Sequence, residues 1–159
     1  MSRIVFLDYD GVVNRKMWTC LDGKWVCRYG YPEDGRVNDG QAVQWVSEFC
    51  EKYGYDVVVT STWRKYPEWE SCLRGGGLRD SVRILGSTAL PTKDRAEEIS
   101  EYLSDHPETE TYLVFDDKES LAESIHRDRL VLCQKERGFG ETEYGLAVAA
   151  HLINCKKEK

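Results

Sequence analysis

The fold of this chain is decided by residues 4–14, which read IVFLDYDGVVN. Four apolar residues come first and predict a buried strand. Asp8 and Asp10 follow directly, and because side chains alternate along extended chain, both carboxylates point the same way. Gly11 allows a sharp backbone turn just beyond them. Like charges held this close favour a divalent cation as partner, with a solvated strand end as the alternative when the motif is taken alone.

The rest of the chain alternates apolar runs with helical patterns. Strands are predicted at 57–59, 82–85, 112–115 and 130–132, and helices at about 38–54, 92–103, 118–125 and 142–153. Asn38 is the expected N-cap of the first helix and Gly54 its stop. The last helix is expected to turn inward Leu146, Ala149, Ala150 and Ile153. This alternation predicts the α/β class, as a three-layer Rossmann-like domain with a mainly parallel five-stranded sheet, one domain over residues 1–159.

Composition and charge exclude several functional classes. The chain has 159 residues and a formal net charge of −6, so broad attraction to nucleic acid or to anionic membrane is not expected. No apolar run is long enough for a membrane span, and the N-terminus lacks the features of a secretory signal. The six cysteines form no C-x-x-C pair, which argues against zinc and predicts reduced thiols in a cytoplasmic protein.

In a parallel sheet, ligands bind beyond the carboxyl ends of the strands. Thr60 and Ser61 follow the second predicted strand of the sheet, where hydroxyl and backbone N–H groups suit a phosphate oxygen or cap the next helix. Adjacent acids, Asp116 and Asp117, end another apolar strand. Lys93 and Arg95 lie near a helix start, where cations are unfavourable, and this indicates an anionic ligand, with surface solvation as the alternative for either residue taken singly.

The order of these motifs resembles that of the haloacid-dehalogenase-like (HAD) phosphatases: Asp-x-Asp-Gly-Val, an apolar strand with Thr-Ser, a Lys, and then Asp-Asp. The resemblance covers residues 4 to about 146. Residues 6–14 and 60–64, Arg95 with Glu98-Ile99, and Gly145-Leu146 are similar to a small branch found in RNA-repair proteins and in phage genomes.

The resemblance implies a role for each site residue. Asp8 would attack phosphorus as the nucleophile, and Asp10 would act as general acid and base. Thr60, with the Ser61 backbone, would bind the phosphoryl group. Lys93 would neutralise its charge, and Arg95 is the competing candidate for that role. Mg²⁺ is the implied cofactor. The residues that would hold it are Asp8, the Asp10 carbonyl, and one or both of Asp116 and Asp117, with the nearer of the last two left open.

A short insertion at about 15–37 is expected to form a minimal hairpin cap. Asp22-Gly23 is a strong hairpin turn signal, and it pairs Trp18 with Cys27 and Cys20 with Trp25. The two cysteines are then not opposite each other, which argues against a disulfide. The tryptophans share one face, where they either stack on a nucleobase or pack onto the domain.

The function expected is phosphomonoester hydrolysis, on a nucleotide or a nucleic-acid end, with Trp18, Trp25 and Arg64 contacting the substrate. One alternative is a protein that binds a phosphorylated nucleotide without turnover. Another is a phosphatase of small metabolites or proteins. Intact Asp8 and Asp10 favour an enzyme, and the open site expected from so small a cap suits nucleotides and nucleic-acid ends. The sequence leaves the oligomeric state undetermined.

Overall fold

The computed structural model describes residues 2–32, 38–89 and 94–157. Within these ranges the strands are β1 (Ser2–Leu7), β2 (Met17–Leu21), β3 (Lys24–Arg28), β4 (Asp56–Val59), β5 (Ile84–Ser87), β6 (Thr109–Asp116) and β7 (Leu130–Leu132). The α-helices are α1 (Gly40–Tyr53), α2 (Trp69–Gly75), α3 (Arg95–Asp105) and α4 (Glu141–Lys157). Short 3₁₀ helices span Thr62–Lys65, Glu119–Glu123 and Arg127–Arg129.

The main sheet has five strands in the order β5-β4-β1-β6-β7, and every pairing is parallel. This confirms the predicted α/β architecture. Leu7 at the end of β1 is in register with Val59 of β4 on one side and with Phe115 of β6 on the other. The residues that follow, Asp8 and Thr60, and the last residue of β6 therefore form a row along one edge of the sheet.

The two faces of the sheet carry separate apolar clusters, as alternation along β1 requires. Val5 and Leu7 belong to a large cluster, to which α1 contributes Phe49 and α4 contributes Ala147. Phe6 belongs instead to a smaller cluster that includes Ile99 of α3. Helices on both faces of the sheet give the three layers that were predicted.

Two helix predictions need correction, and a third lies partly outside the described residues. Asp39, not Asn38, caps α1, because its carboxylate accepts from the backbone N–H groups of Gln41 and Ala42, while Gly54 ends the helix in the left-handed conformation as predicted. Residues 119–123 form a 3₁₀ helix where an α-helix was predicted. The predicted helix start near Thr92 lies outside the described residues, and the helix as described begins at Arg95 after the cap Asp94.

The inward face of α4 was also predicted wrongly. Leu146, Ala149 and Ile153 are exposed, and of the predicted residues only Ala150 packs, half-buried, against the core. The buried positions are Glu143, Ala147, His151 and Asn154. Three of these are polar and each has a partner: Glu143 pairs with Arg137, His151 with Tyr55, and Asn154 with the carbonyl of Asp128. Satisfied polar groups can be buried at little cost, so apolar periodicity alone misplaced the face.

The hairpin forms as predicted. Trp18 pairs with Cys27 and Cys20 with Trp25, and Asp22 and Gly23 both have positive φ in the turn. All the cysteines of the chain are free thiols. Trp18 is 69% exposed and Trp25 is 70% exposed, so neither ring packs onto the domain. No helix within the described ranges is long and apolar enough to cross a membrane.

Candidate active site

Asp8 lies at the centre of the row of strand ends, directly after β1. Its backbone N–H donates to the carbonyl of Phe115, which extends the sheet by one residue. Its Oδ1 accepts from the N–H of Tyr9 at 2.9 Å, and this hydrogen bond orients the carboxylate. Asp8 is buried, with only 6% of its surface exposed. The nucleophile predicted from the sequence is therefore oriented by its own backbone.

Three carboxylates converge at this point. Asp8, Asp116 and Asp117 each offer an oxygen, and these oxygens lie within 4.8 Å of one another. Burial and the nearby charges of Asp116 and Asp117 raise the pKa of Asp8 well above its ordinary value, against the opposing effect of Arg95. Burial and the charge of Asp116 likewise raise the pKa of Asp117. An all-oxygen set under mutual repulsion fits a hard divalent cation.

Asp116 and Asp117 differ in their partners. Asp116 is fully buried; its Oδ1 accepts from the N–H of Lys118 at 3.0 Å and its Oδ2 from Arg95 at 2.6 Å. Asp117 is half-buried and lines a cavity of about 450 Å³ together with Lys135. Asp116 is thus held by protein donors on both oxygens, whereas Asp117 faces the cavity.

Among the described residues, Arg95 is the one that brings a positive charge into contact with Asp8. Its Nη1 lies 3.5 Å from Oδ1 of Asp8 and donates to Oγ1 of Thr60 at 3.4 Å as well as to Asp116. One guanidinium therefore touches the ends of β1, β4 and β6. Lys93, the other candidate for this role, lies outside the described residues, so the ranking of the two stays a prediction.

Asp10 is held by two side chains that the sequence analysis gave no role. Nδ2 of Asn14 donates to Oδ1 of Asp10 at 2.7 Å, and Nε1 of Trp63 donates to the same oxygen at 2.9 Å. Nδ2 of Asn14 also donates to the carbonyl of Gly30, which joins the site to the segment after the hairpin. The only sequence signal for Trp63 and Asn14 was their place within motifs quoted for other residues.

Gly11 makes the close approach of Asp117 possible. Its φ is +84°, a conformation that other residues rarely adopt, and a Cβ placed there would lie 2.7 Å from Cβ of Asp117. The sharp turn predicted from Gly11 is therefore also a packing requirement of the acidic cluster.

The two residues predicted to bind phosphate have different side-chain contacts in the structure, and phosphate binding itself stays a prediction. Thr60 contacts Arg95 through its hydroxyl, as described above. Ser61 is buried, and its Oγ accepts from the N–H of Trp63 at 3.2 Å as the N-cap of the 3₁₀ helix at 62–65. The side chain of Ser61 therefore caps a helix, which was one of the two alternatives for this residue.

Arg64, predicted to contact substrate, is directed into the protein. Its side chain is 2% exposed and pairs with Glu98 at 3.0 Å. It also donates to Oγ1 of Thr88 at 3.0 Å and to the carbonyl of Thr60. Direct contact with substrate stays a prediction, and the contacts shown are all with other residues of the domain.

Tyr29, at the end of the hairpin, is a further residue that the sequence analysis missed. Its pKa is raised by burial and by the negative charges of Asp117, Asp10 and Asp8, and the next residue, Gly30, accepts from Asn14 of the site through its carbonyl. Nζ of Lys16 lies 5.6 Å from the centre of its ring. The base of the hairpin therefore borders the site.

Comparison with known proteins gives one family. The model of the family described as "HAD domain in Swiss Army Knife RNA repair proteins" matches residues 4–144. A search of curated proteins finds no match.

Proposed function

Because the chain belongs to the family of HAD domains in Swiss Army Knife RNA repair proteins, we propose that it is a magnesium-dependent phosphomonoesterase. The observation that carries the proposal is the meeting of Asp8, Asp116 and Asp117 within 4.8 Å, with Arg95 against two of them. A nucleophilic carboxylate, an oxygen-rich cation site and a fixed guanidinium are the groups that phosphoryl transfer requires.

The chemistry proceeds in two displacements. A carboxylate oxygen of Asp8 attacks phosphorus, the bond from phosphorus to the leaving oxygen breaks, and Asp10 donates a proton to that oxygen. Asp10 then takes a proton from water as the water oxygen attacks the phosphorus of the aspartyl-phosphate. The bond to Asp8 breaks, inorganic phosphate leaves, and both carboxylates return to their first state.

The other residues hold these groups in place. Asn14 and Trp63 keep the Asp10 carboxylate in one orientation through their two N–H bonds. Arg95 and Thr60 bind the transferring oxygens. Asp8, the Asp10 carbonyl and Asp117 are the groups that would hold Mg²⁺, and the ion would supply positive charge that offsets repulsion between the nucleophile and the phosphate.

We further propose that the phosphate belongs to a nucleotide or a nucleic-acid end. Two exposed tryptophans lie on a hairpin whose following segment is joined to Asp10 through Asn14, and their rings offer stacking surfaces for bases. The cavity beside Asp117, about 450 Å³, has room for part of a nucleotide. The family description, which refers to RNA repair proteins, supports the same substrate class. A cytoplasmic location is part of this proposal.

Phosphate release with Mg²⁺ tests the proposal, measured on nucleotides, on 3′- and 5′-phosphorylated oligonucleotides and on sugar phosphates. Asp8→Asn is the matched control, because an amide cannot attack phosphorus. Turnover by the wild type and none by the variant is expected. Tight binding of a phosphorylated nucleotide without any release of phosphate would instead identify a binding protein.

A further inference from the structure

Glu98 and Arg64 form a buried ion pair that the proposed chemistry does not use. The side chain of Glu98, on α3, is 5% exposed, and Nη2 of Arg64 lies 3.0 Å from its Oε2. Burying two charges has a desolvation cost that their attraction only partly offsets. A buried pair beside a reaction centre is therefore weak evidence for stability and a reason to look for a role in the site.

Glu98 holds one edge of the Arg95 guanidinium. Nε of Arg95 lies 3.7 Å from Oε2 of Glu98, while Nη1 at the other edge donates to Asp116 at 2.6 Å. A planar guanidinium that has carboxylates at both edges has little freedom to rotate. Glu98 therefore helps to set the orientation in which Nη1 of Arg95 reaches Asp8 and Thr60.

Arg64 in turn fixes Glu98 to the strand ends. Its Nη1 donates to the carbonyl of Thr60 and to Oγ1 of Thr88, and Oγ1 of Thr88 lies 3.4 Å from Oε2 of Glu98. Oε2 of Glu98 lies 3.0 Å from Arg64 and 3.7 Å from Arg95, and Arg95 in turn lies 2.6 Å from Oδ2 of Asp116. The pair therefore links the turn after β4 to the cation on α3.

We propose that Glu98, braced by Arg64, is a positioning residue that aims Arg95 at Asp8 and Thr60. The inference rests on the proposed function, because the orientation of the Arg95 guanidinium affects the rate only if Arg95 binds a transferring phosphoryl group. Neither Glu98 nor Arg64 needs to touch the substrate for this role.

Glu98→Gln tests the proposal, since it keeps the shape of the side chain and removes its charge. We expect kcat for an aryl phosphate to fall about 10- to 100-fold, as is common when a supporting contact in a site is lost, with a smaller change in KM. Glu143→Gln is the matched control, because the Glu143 side chain is also 5% exposed and also pairs with an arginine. Glu143→Gln should keep the wild-type kcat, because Glu143 contacts none of the described residues that are placed in the site.

A double-mutant cycle separates positioning from general structural support. In an Arg95→Ala background, Glu98→Gln should cost little more, because its effect passes through Arg95. Losses that simply add would overturn the proposal, as would a wild-type kcat in Glu98→Gln. If Glu98→Gln does not fold, Arg64→Lys is used instead. It keeps the positive charge but loses the planar guanidinium that contacts Glu98 and Thr88 together, so the same 10- to 100-fold loss of kcat is expected.

Orthovanadate binding with Mg²⁺, measured by calorimetry, needs no turnover. Glu98→Gln should weaken it about 10-fold or more relative to wild type and to Glu143→Gln. Unchanged affinity would count against the role of Glu98. A wild type that binds vanadate but hydrolyses none of the phosphomonoesters would overturn the proposed function, and the affinities would still decide the role of Glu98.

Discussion

The indole Nε1 of Trp63 lies 2.9 Å from Oδ1 of Asp10, so a residue that follows β4 holds a carboxylate that follows β1. Trp63 is fully buried, and its ring also lies edge-on against Tyr9 with centroids 5.3 Å apart. The position of the proposed general acid is therefore tied to core packing.

Trp63→Phe should slow the chemical step, because it removes the N–H donor and keeps much of the ring. A hydrogen bond to a charged group is worth about 1.5–3 kcal/mol, which corresponds to roughly a 10- to 150-fold loss of rate. The loss should be largest for alkyl phosphates, whose leaving oxygen needs a proton, and smallest for nitrophenyl phosphate. Trp45→Phe is the control, and equal losses on both substrates would contradict the link to Asp10.

Asp8→Asn should abolish turnover, leave the fold intact and stabilise the metal-free protein at neutral pH. Because the folded-state pKa of Asp8 is raised, the contribution of Asp8 to the stability of the wild type is fully present below its unfolded pKa and is lost as pH rises through the folded value. The melting temperature of the variant should therefore exceed that of the wild type by an amount that grows with pH. Added Mg²⁺ should reduce the difference in melting temperature between the variant and the wild type. A difference that does not change with pH would contradict this account.

Activity should need Mg²⁺ and be lost with chelator. Asp117→Asn should weaken Mg²⁺ binding more than Asp116→Asn, because both oxygens of Asp116 already accept from protein donors. Calorimetric titration of Mg²⁺ into the two variants measures the difference. The reverse order would make Asp116 the nearer ligand, and full activity after exhaustive chelation would exclude the mechanism.

The two candidate cations can be ranked by substitution. The sequence order favours a larger loss of kcat for Lys93→Ala than for Arg95→Ala, because Lys93 precedes Arg95 at the helix start. The contacts of Arg95 with Asp8, Thr60 and Asp116 lead us to expect that Arg95→Ala loses roughly 10²–10³ in kcat. Parallel kcat measurements on both variants decide which residue is the main clamp.

Trp18→Ala and Trp25→Ala should raise KM for a nucleotide and leave turnover of a simple aryl phosphate unchanged. Stacking is worth about 1–3 kcal/mol per base, or roughly a five- to 150-fold loss of affinity. Since both rings are about 70% exposed, their removal should hardly affect folding. Equal losses on both substrates would mean a structural role, and no loss on either would place the hairpin outside the substrate site.

The backbone of the site was predictable from the sequence, and its side-chain contacts were not. Apolar runs that end in Asp8, Thr60 and Asp116 predicted three parallel strand ends, and parallel register then brings such ends together. The contacts of Trp63 and Arg64 depend on a 3₁₀ helix whose approach to α3 no local pattern specifies. The hairpin was predictable to the residue, because a two-residue turn fixes every pair that follows it.

Position 11 carries a requirement of an unusual kind. A side chain there would meet Asp117, and the positive φ would be strained for any L-residue that bears one. In a library of random substitutions selected for activity, glycine should be the residue recovered at this position, although no atom of residue 11 takes part in the reaction. Glycine would be required there because the side chain of Asp117 occupies the space that a Cβ would need. A comparison of sequences alone would suggest a catalytic role for residue 11 instead.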